Sequence, residues 1–414
     1  MGPFAGAEEH VVTATLLGSF AVAWVLLAYL TTRWTDQPQR WAFVPAGLMG
    51  AVAGTVLITS PTGNASGWVW PPALLALVAW MVVQSRHQLL SRTRILVLYP
   101  VFAALALSAI GGGYETYRET RDSTASAMPG SLVDVGGHRL HIDCRGSGAP
   151  TVVLEAGLGG VSPMMASWLA PQIGATTRVC VYDRAGRGWS ESASAPQDGE
   201  HVATDLYRLL RNAGEAGPYV LAGHSTGGIY VLNFAKLYPD DVAGVALLDS
   251  MHPDQYDRMA AWPGFYEMYR RASAVMPTLA RLGIGRAVYG TAYADLPEPQ
   301  RDAQREFPAT PRHNRSLRDE FHTIRTAMDQ AAELDTLGDI PLAIVTAGLG
   351  HDADWSPMQD HLATLSSNSV HRRLPDATHQ MVVEDEGAAR QASEAIVDVV
   401  VAVRTNTPVN AEEA

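Results

Sequence analysis

Residues 219–238 have the sequence YVLAGHSTGGIYVLNFAKLY, which places Ser225 between an apolar run and a helical pattern. The apolar run predicts a buried strand, and the spacing of apolar residues after it predicts a helix. Gly223 and Gly227 bracket the serine in the pattern GxSxG, a sharp strand-to-helix turn that exposes the serine hydroxyl. A larger side chain at either glycine would collide with so tight a turn. The segment therefore predicts that Ser225 is a nucleophile.

Two backbone amides near Ser225 are candidates for stabilising the negative charge on a carbonyl oxygen under attack. The Thr226 amide lies at the start of the predicted helix, where unsatisfied N–H groups and the helix dipole favour an anion. The second amide is expected from the loop in LEAGLGG, where glycines let the backbone approach a carbonyl oxygen closely. We assign this second amide to Leu158.

A nucleophilic serine needs a base to take its proton and an acid to orient that base. With a GxSxG turn the chain order is serine, then Asp or Glu, then His. His379, in the loop LPDATHQM before the last helical pattern, is the predicted base. Asp249 is the favoured acid because it emerges directly from the apolar strand VAGVALLD. Asp352 and Asp354, in the polar loop LGHDADW, are the alternatives.

Short β-rich runs alternate with helical stretches through residues 130–405. Examples of the runs are TVVLEAG, TRVCVYD and PLAIVTAG. Alternating strands and helices predict an α/β fold with a largely parallel sheet that is covered by helices on both faces. Residues 251–338 contain helical runs without a clear strand, which predicts a helical lid over the site. Apolar side chains in this lid would line a substrate pocket.

The motifs GHSTGG, IDCRGSGAPTVVLEAG, YDRAGRGWS and DATHQM together resemble the α/β-hydrolase fold superfamily, most closely its bacterial members. The resemblance covers residues 130–405 and implies an eight-stranded, mostly parallel sheet with a helical lid. It implies catalytic roles for Ser225, His379 and Asp249, with oxyanion donors at the amides of Thr226 and Leu158. A serine at the turn distinguishes the chain from the branches with an aspartate nucleophile, the haloalkane dehalogenases and epoxide hydrolases.

Four apolar stretches precede this domain, at residues 11–30, 41–60, 68–84 and 93–113. Each approaches the roughly 20 residues that cross a bilayer as a helix. Tryptophans lie near several of their ends, as is usual at a membrane interface. The sequence therefore predicts four domains or segments, which are a membrane region at 1–113, a linker at 114–129, a catalytic domain at 130–405 and a flexible tail at 406–414.

Arginine placement predicts the orientation of the four apolar helices. The loop after the first stretch carries Arg33 and Arg40, and the loop after the third carries Arg86, Arg92 and Arg94. The segment before the first stretch and the loop after the second carry no Arg or Lys. Because loops rich in Arg stay cytoplasmic, the catalytic domain is expected on the extracellular side of a bacterial cell membrane.

The only two cysteines, Cys144 and Cys180, lie in strand-like runs that are neighbours in the predicted fold. An oxidising compartment outside the cell permits a disulfide between them. Two buried thiols are the alternative, because bridges between adjacent strands are strained and uncommon.

Composition and motifs argue against several classes of function. The net charge of −12 repels phosphate backbones, so nucleic acid is not an expected partner. The sequence has no CxxC, no HExxH and no His and carboxylate cluster at ligand spacing, so no metal or other cofactor is expected. The apolar stretches lack the ionisable residues of a transport path, which argues against a transporter.

These features predict a membrane-anchored serine hydrolase that works in two acyl-transfer steps. Ser225 would attack the carbonyl of an ester, thioester, lactone or amide with His379 as base, and water would then cleave the acyl-enzyme. The expected substrate is a small-molecule or lipid-like ester. Two alternatives stay open at this stage: acyl transfer to another acceptor on the same scaffold, and a membrane-bound receptor that binds a ligand without catalysis.

Overall fold

The structure is a computed structural model that describes residues 7–60, 64–89, 92–125 and 128–409. Backbone packing divides the chain into two compact units. The helical unit comprises Met1–Ser126, Arg271–Gly290 and Ala309–Asn314, and the sheet unit comprises Ala127–Arg270, Thr291–Pro308 and Arg315–Ala414. Two pieces of the predicted lid therefore group with the N-terminal helices. Residues 126 and 127 of the predicted linker and 410–414 of the predicted tail lie outside the described residues.

Four long helices begin the helical unit. They are α1 (Glu9–Trp34), α2 (Phe43–Thr59), α3 (Trp70–Gln88) and α4 (Arg92–Ala125), with 3-10 turns at Arg40–Ala42 and Asn64–Trp68. In the described part of the chain, the spans that are long and apolar enough to cross a membrane are Glu9–Trp34, Arg40–Thr59, Ser66–Gln88 and Val97–Asp122. The four predicted apolar helices are thus confirmed, and each is long and apolar enough to cross a membrane. Helix α4 continues to Ala125, through residues that the sequence assigns to the linker.

An aromatic cluster packs the inside of the helical unit. Trp24 of α1, Trp41 before α2 and Phe102 of α4 are buried, and the ring centroids of Trp24 and Phe102 lie 6.3 Å apart. The indole N–H of Trp41 donates to Oε1 of Gln39 over 2.7 Å. The side chain of Gln39 thus satisfies a buried donor of this cluster.

An eight-stranded sheet forms the centre of the sheet unit. Its strands are β1 (Ser131–Asp134), β2 (Arg139–Arg145), β3 (Val152–Glu155), β4 (Val179–Tyr182), β5 (Tyr219–His224), β6 (Val242–Leu248), β7 (Leu342–Leu349) and β8 (Ser369–Thr378). Their spatial order is β1-β2-β4-β3-β5-β6-β7-β8. Strand β2 pairs antiparallel with β1 and β4, and the strands from β4 to β8 pair in parallel. The predicted mostly parallel, eight-stranded α/β sheet is confirmed.

Further helices lie between and after these strands in the chain. They are α5 (Ser162–Ser167), α6 (Leu169–Gly174), α7 (Gly199–Asn212), α8 (Gly227–Leu237), α9 (Gln255–Arg258), α10 (Trp262–Ser273), α11 (Met276–Arg281), α12 (Ile284–Tyr289), α13 (Gln300–Glu306), α14 (Pro311–Ala331), α15 (Trp355–Ala363), α16 (Met381–Glu384) and α17 (Glu386–Thr405), of which α11 and α12 belong to the helical unit. Further 3-10 turns lie at Pro239–Asp241 and Phe307–Ala309. One apolar cluster joins the sheet to α17, and the other joins the opposite face to α7 and α8. Because β3, β4 and β5 are buried on both faces, their sequences are continuous apolar runs without alternation.

Cys144 of β2 and Cys180 of β4 form a disulfide. The two residues are directly opposite in the antiparallel register of these strands. Of the two alternatives left by the sequence, the structure therefore contains the bridge. The bond fixes the antiparallel hairpin of β1 and β2 to the parallel part of the sheet.

We expect the full-length protein, unfolded in denaturant, to resist alkylation by N-ethylmaleimide until a reductant is added, and then to gain two adducts, one for each cysteine of the chain. The two cysteines are separated by 36 residues. Closing a loop of this size stabilises a fold by about 3 to 4 kcal/mol, so Cys144→Ser with Cys180→Ser should lower the free energy of unfolding by that amount. Mass spectrometry and chemical unfolding measure the two effects. Two adducts without reductant would contradict the bridge.

Candidate active site

The turn between β5 and α8 holds Ser225 in the left-handed backbone conformation, with φ at 57°. This conformation costs a non-glycine residue on the order of 1–3 kcal/mol, which the surrounding structure must offset. The Ser225 amide donates to the Leu248 carbonyl over 3.1 Å. The Ser225 carbonyl accepts from the amides of Gly228, at 3.1 Å, and Met251, at 2.9 Å. The end of β6 and the start of α8 therefore hold the strained residue.

Three glycines permit the close backbone packing around this turn. A Cβ on Gly223 would lie 2.6 Å from the carbonyl carbon of Gly227, and a Cβ on Gly227 would lie 2.5 Å from the carbonyl oxygen of Glu155. A Cβ on Gly228 would lie 1.7 Å from Oγ of Ser250. The clash predicted for larger side chains at Gly223 and Gly227 is therefore confirmed. Gly228 also needs to be small, because it packs against Ser250 after β6.

Three of the predicted site residues meet at the carboxyl ends of the parallel strands. Nε2 of His379 lies 3.0 Å from Oγ of Ser225, and Nδ1 of His379 lies 2.6 Å from Oδ2 of Asp249. The three residues follow β5, β8 and β6 directly, so residues far apart in the sequence reach one edge of the sheet. With an ionised carboxylate beside it, Nδ1 carries the ring proton and Nε2 is left to accept the serine hydroxyl.

The carboxylate of Asp249 is buried and accepts four hydrogen bonds. Oδ1 accepts from the amide of Ala347 at 3.0 Å and from the indole N–H of Trp355 at 2.9 Å. Oδ2 accepts from His379 and from Nε2 of His351, the latter at 2.8 Å. Burial raises the pKa of the Asp249 carboxyl, but the hydrogen bonds from His351 and His379 outweigh burial and hold the pKa well below its ordinary value. Asp249 is therefore ionised at neutral pH.

Asp352 and Asp354, the alternative acids, are exposed. Within residues 128–409, neither carboxylate is hydrogen-bonded to His379, whose Nδ1 faces Asp249. The backbone carbonyl of Asp352 accepts from the amide of Trp355 over 3.0 Å at the start of α15. The loop after β7 therefore contributes to the site through residues other than its two acids.

His351 lies in this same loop, and its contact with Asp249 is not predicted by the sequence. Its ring stacks on the indole of Trp355, with centroids 4.4 Å apart and planes 5° from parallel. The stacking orients Nε2 toward Asp249. In the sequence, His351 and Trp355 flank the two acids of this loop, which marks the loop as a candidate part of the site. The local pattern does not indicate that both side chains contact Asp249.

The loop after β3 passes close to Ser225 and brings Leu158 beside the turn. A Cβ on Gly157 would lie 2.9 Å from Cβ of Ser225. Among the hydrogen bonds of the described residues, the amides of Leu158 and Thr226 have no protein acceptor. Free N–H groups of this kind stabilise an oxygen atom that gains negative charge.

A buried cluster of charged side chains binds the backbone of the loop after β3. The guanidinium of Arg184 donates to the carbonyls of Ala156, at 2.6 Å, and Gly157, at 2.8 Å, and to Oε1 of Glu320 in α14, at 2.9 Å. Oε2 of Glu320 accepts from the amide of Gly159 over 3.2 Å. The backbone on both sides of the free Leu158 amide is thus fixed by one charged network.

The charges of this cluster are balanced. Arg184 pairs with Glu155 and Glu320, and Arg187 pairs with Glu320, all of them buried. Burial raises the pKa of the Glu320 carboxyl, but the charges of Arg187 and Arg184 outweigh burial and lower that pKa below its ordinary value. Loss of one partner would leave a buried charge uncompensated, at a cost of about 3–5 kcal/mol.

Asp249, His351 and His379 offer ligand atoms within 4.8 Å of one another, a spacing that would suit a metal ion. The hydrogen bonds favour protons at these atoms instead. Nε2 of His351 and Nδ1 of His379 both face Oδ2 of Asp249, which requires an N–H on each nitrogen. A metal would need both nitrogens deprotonated. The cluster therefore fits a hydrogen-bonded carboxylate better than a metal centre.

Known proteins resemble part of this chain. A family model described as alpha/beta hydrolase fold matches residues 150–283. A thermophilic esterase from Thermogutta terrifontis is similar with a TM-score of 0.50 and 22% identity, over 65% of this chain and 98% of the esterase. The enol-lactonase from Burkholderia xenovorans is similar with a TM-score of 0.50 and 22% identity, over 66% of this chain and 100% of the lactonase. At these identities the likeness shows the α/β-hydrolase fold.

A curated relative matches this chain over more residues than the family model does. An uncharacterized protein of Schizosaccharomyces pombe is 26% identical over 298 residues, which is 64% of this chain. The same alignment covers 54% of the yeast protein, so the chain spans about half the length of this relative.

His224, the residue before Ser225, is buried against the site. Its ring stacks on the His379 ring with centroids 4.7 Å apart, and its Nε2 donates to the His379 carbonyl over 3.1 Å. Burial, with a smaller contribution from the charge of His379, lowers the pKa of the His224 imidazole to about 3. An imidazole in the unfolded chain titrates near about 6.5. The folded protein therefore keeps His224 neutral.

We expect the free energy of unfolding to fall as the pH drops below about 6.5, because the unfolded chain binds a proton that the folded chain excludes from His224. At pH 5 this residue should cost about 2 kcal/mol relative to pH 7.5, since each pH unit contributes about 1.4 kcal/mol. His224→Gln should remove that part of the pH dependence. Chemical unfolding in detergent at both pH values measures the difference. An equal loss in wild type and variant would refute the prediction.

Proposed function

The chain carries a domain with the α/β-hydrolase fold, and we propose that this domain is a serine hydrolase with a triad of Ser225, His379 and Asp249. The reaction is cleavage of a carboxylic ester, or of a thioester, lactone or amide, through an acyl-enzyme on Ser225. The observation that carries this proposal is the continuous hydrogen-bond chain from Oγ of Ser225 through both nitrogens of His379 to the buried Asp249 carboxylate.

Acylation begins when Oγ of Ser225 bonds to the substrate carbonyl carbon and Nε2 of His379 takes the hydroxyl proton. Four hydrogen bonds hold the ionised carboxylate of Asp249 in place. The imidazolium of His379 forms directly beside this carboxylate. Its positive charge is therefore stabilised where it appears. Nε2 then gives the proton to the leaving group as the bond to the carbonyl carbon breaks.

The negative charge on the carbonyl oxygen is stabilised by the amides of Thr226 and Leu158. Both lie beside Ser225, one at the start of α8 and the other in the loop after β3. Removal of one such donor typically costs about 10²–10³ in rate, because the donors act where water is excluded. The contacts of Arg184 and Glu320 with this loop support a fixed position for the Leu158 amide.

Deacylation repeats the same steps with water as the nucleophile. His379 takes a proton from water as the oxygen bonds to the acyl carbon, and then returns a proton to Oγ of Ser225 as the acid leaves. The products are a carboxylic acid and the free enzyme. The acyl group is that of a small-molecule or lipid-like ester.

We further propose that the protein is an integral membrane protein with its sheet unit on the extracellular side of a bacterial cell membrane. The Arg residues of two loops, among them Arg33, Arg40 and Arg86, favour a cytoplasmic place for those loops. The disulfide of Cys144 and Cys180 supports an oxidising compartment for the sheet unit.

We expect membranes that contain the wild-type protein to react with a fluorophosphonate probe, since the probe bonds only to an activated serine. Ser225→Ala should abolish the labelling, because the nucleophile is absent. His379→Ala should slow it by at least about 10³-fold, because no base remains to take the hydroxyl proton. Gel fluorescence against time measures the rate. A folded wild-type protein that is not labelled would contradict the hydrolase and favour a ligand-binding role.

The identity of the acid has its own test. Asp249→Asn should slow probe labelling by about 10³–10⁴-fold, because an amide cannot hold Nδ1–H of His379 in the required tautomer. Asp352→Asn and Asp354→Asn are matched controls, being exposed carboxylates in the neighbouring loop, and should label at the wild-type rate. The assignment of Asp249 fails if the Asp249→Asn variant is labelled at the wild-type rate while one of the two control variants is slowed by about 10³–10⁴-fold.

A further inference from the structure

Helices α11 and α12 lie in the chain between β6 and β7, yet they group with α1 and α4 in the helical unit. Their packing against α4 involves the main chain of both partners. A Cβ on Gly111 would lie 2.2 Å from the carbonyl oxygen of Leu282, and a Cβ on Gly283 would lie 2.5 Å from the carbonyl oxygen of Gly111. Small residues at such a crossing let segments of a membrane protein approach closely.

Polar groups of α11 face the start of α1. Oγ1 of Thr278 lies 3.1 Å from Oγ1 of Thr13. Nε of Arg281 donates to Oε1 of Glu9, the first residue of α1, over 2.6 Å. One charge of the segment is thus paired toward the inside of the helical unit.

The second charge of the segment is paired toward α4. Nε of Arg286 donates to Oε2 of Glu115 over 2.8 Å, and its Nη1 lies 2.9 Å from Oδ2 of Asp122. Arg281 and Arg286 are the only charged residues between positions 272 and 290. Both arginines pair with acids of α1 and α4, so the outer face of this segment carries no charged side chain.

The outer face of α11 and α12 is apolar. Leu279, Ile284 and Val288 expose 38%, 44% and 63% of their surface. The other exposed positions from 272 to 290 are Ala272, Ala287 and Gly290. A helix that faces water carries polar side chains at such positions. This segment instead has its polar groups inside and its apolar groups outside, as lipid-facing helices do.

The contacts locate this segment at one end of the two spans. Glu9 begins α1, and Gly111 is near the end of the apolar part of α4, after which the sequence turns polar. Tyr114 and Tyr117, which follow on α4, are exposed. Exposed tyrosines mark the level at which lipid headgroups meet acyl chains. Helices α11 and α12 pack at that level.

We propose that α11 and α12 form an interfacial element whose apolar face, made by Leu279, Ile284 and Val288, inserts into the headgroup–acyl boundary of the bilayer. An apolar helical face in the plane of a membrane inserts about 5–10 Å into this boundary. This inference rests on the proposed membrane location of the helical unit, and the bilayer is the occupant because the segment packs on α1 and α4, which are long and apolar enough to cross a membrane. The element belongs to the insertion between β6 and β7, and its membrane contact does not depend on whether Ser225 reacts with a substrate.

The test uses nitroxide labels at single introduced cysteines in the full-length protein, reconstituted in phosphatidylcholine nanodiscs. The native cysteines form a disulfide and do not take the label. The reporters are Ile284→Cys and Val288→Cys, two exposed positions that can be replaced without disturbing the core. Val22→Cys, 59% exposed on α1, is the lipid-facing control, and Glu394→Cys, exposed on α17, is the water-facing control.

We expect both reporters to match Val22→Cys, with high accessibility to oxygen and an accessibility to a water-soluble nickel chelate that is several-fold lower than at Glu394→Cys. Nickel accessibility equal to that of Glu394→Cys at both positions would show a face in water and overturn the proposal. Low accessibility to both reagents would also overturn it, because the face would then be covered by protein, such as a second copy of this chain.

Discussion

The buried carboxylate of Asp249 is the group on which the geometry of the candidate site depends. An ionised carboxylate removed from water must be met by donors, and here they come from the ends of β7 and β8 and from α15. Ala347, His351 and Trp355 occupy three of the roughly four lone-pair positions of the carboxylate, and His379 takes the remaining one. The ring of His379 is thereby oriented, and its other nitrogen meets Ser225. A solvated acid would impose none of this order.

A second buried charge network acts on the other side of Ser225. Arg184 and Glu320 bind the backbone of the loop after β3 at Gly157 and Gly159. Glu320 belongs to α14, part of the long insertion between β6 and β7, so this insertion supports the backbone that presents the Leu158 amide. Two other helices of the same insertion, α11 and α12, pack in the helical unit. The insertion between β6 and β7 therefore supplies Glu320 to the candidate site and two short helices to the helical unit.

Much of the fold was predictable because its signals are local. The continuous apolar runs of the buried strands and the four apolar helices follow from hydrophobicity over short windows, and the turn at Ser225 follows from glycines within two residues of it. The position of His379 beside Ser225 was predictable from chain order. His351 and Arg184 were not, because nothing near them in the sequence marks the buried groups that they contact.

Sequence alone determined the elements that depend on neighbours within a few residues: the strained turn, the strands and the apolar helices. Tertiary structure decided which of three aspartates faces His379, whether the two cysteines are joined, and where α11 and α12 pack. The physical reason is separation along the chain. Asp249 meets His351 across 102 residues and His379 across 130, and Arg281 meets Glu9 across 272. Contacts of this kind arise only when the folded chain brings distant segments together and buries their charges, which no local pattern encodes.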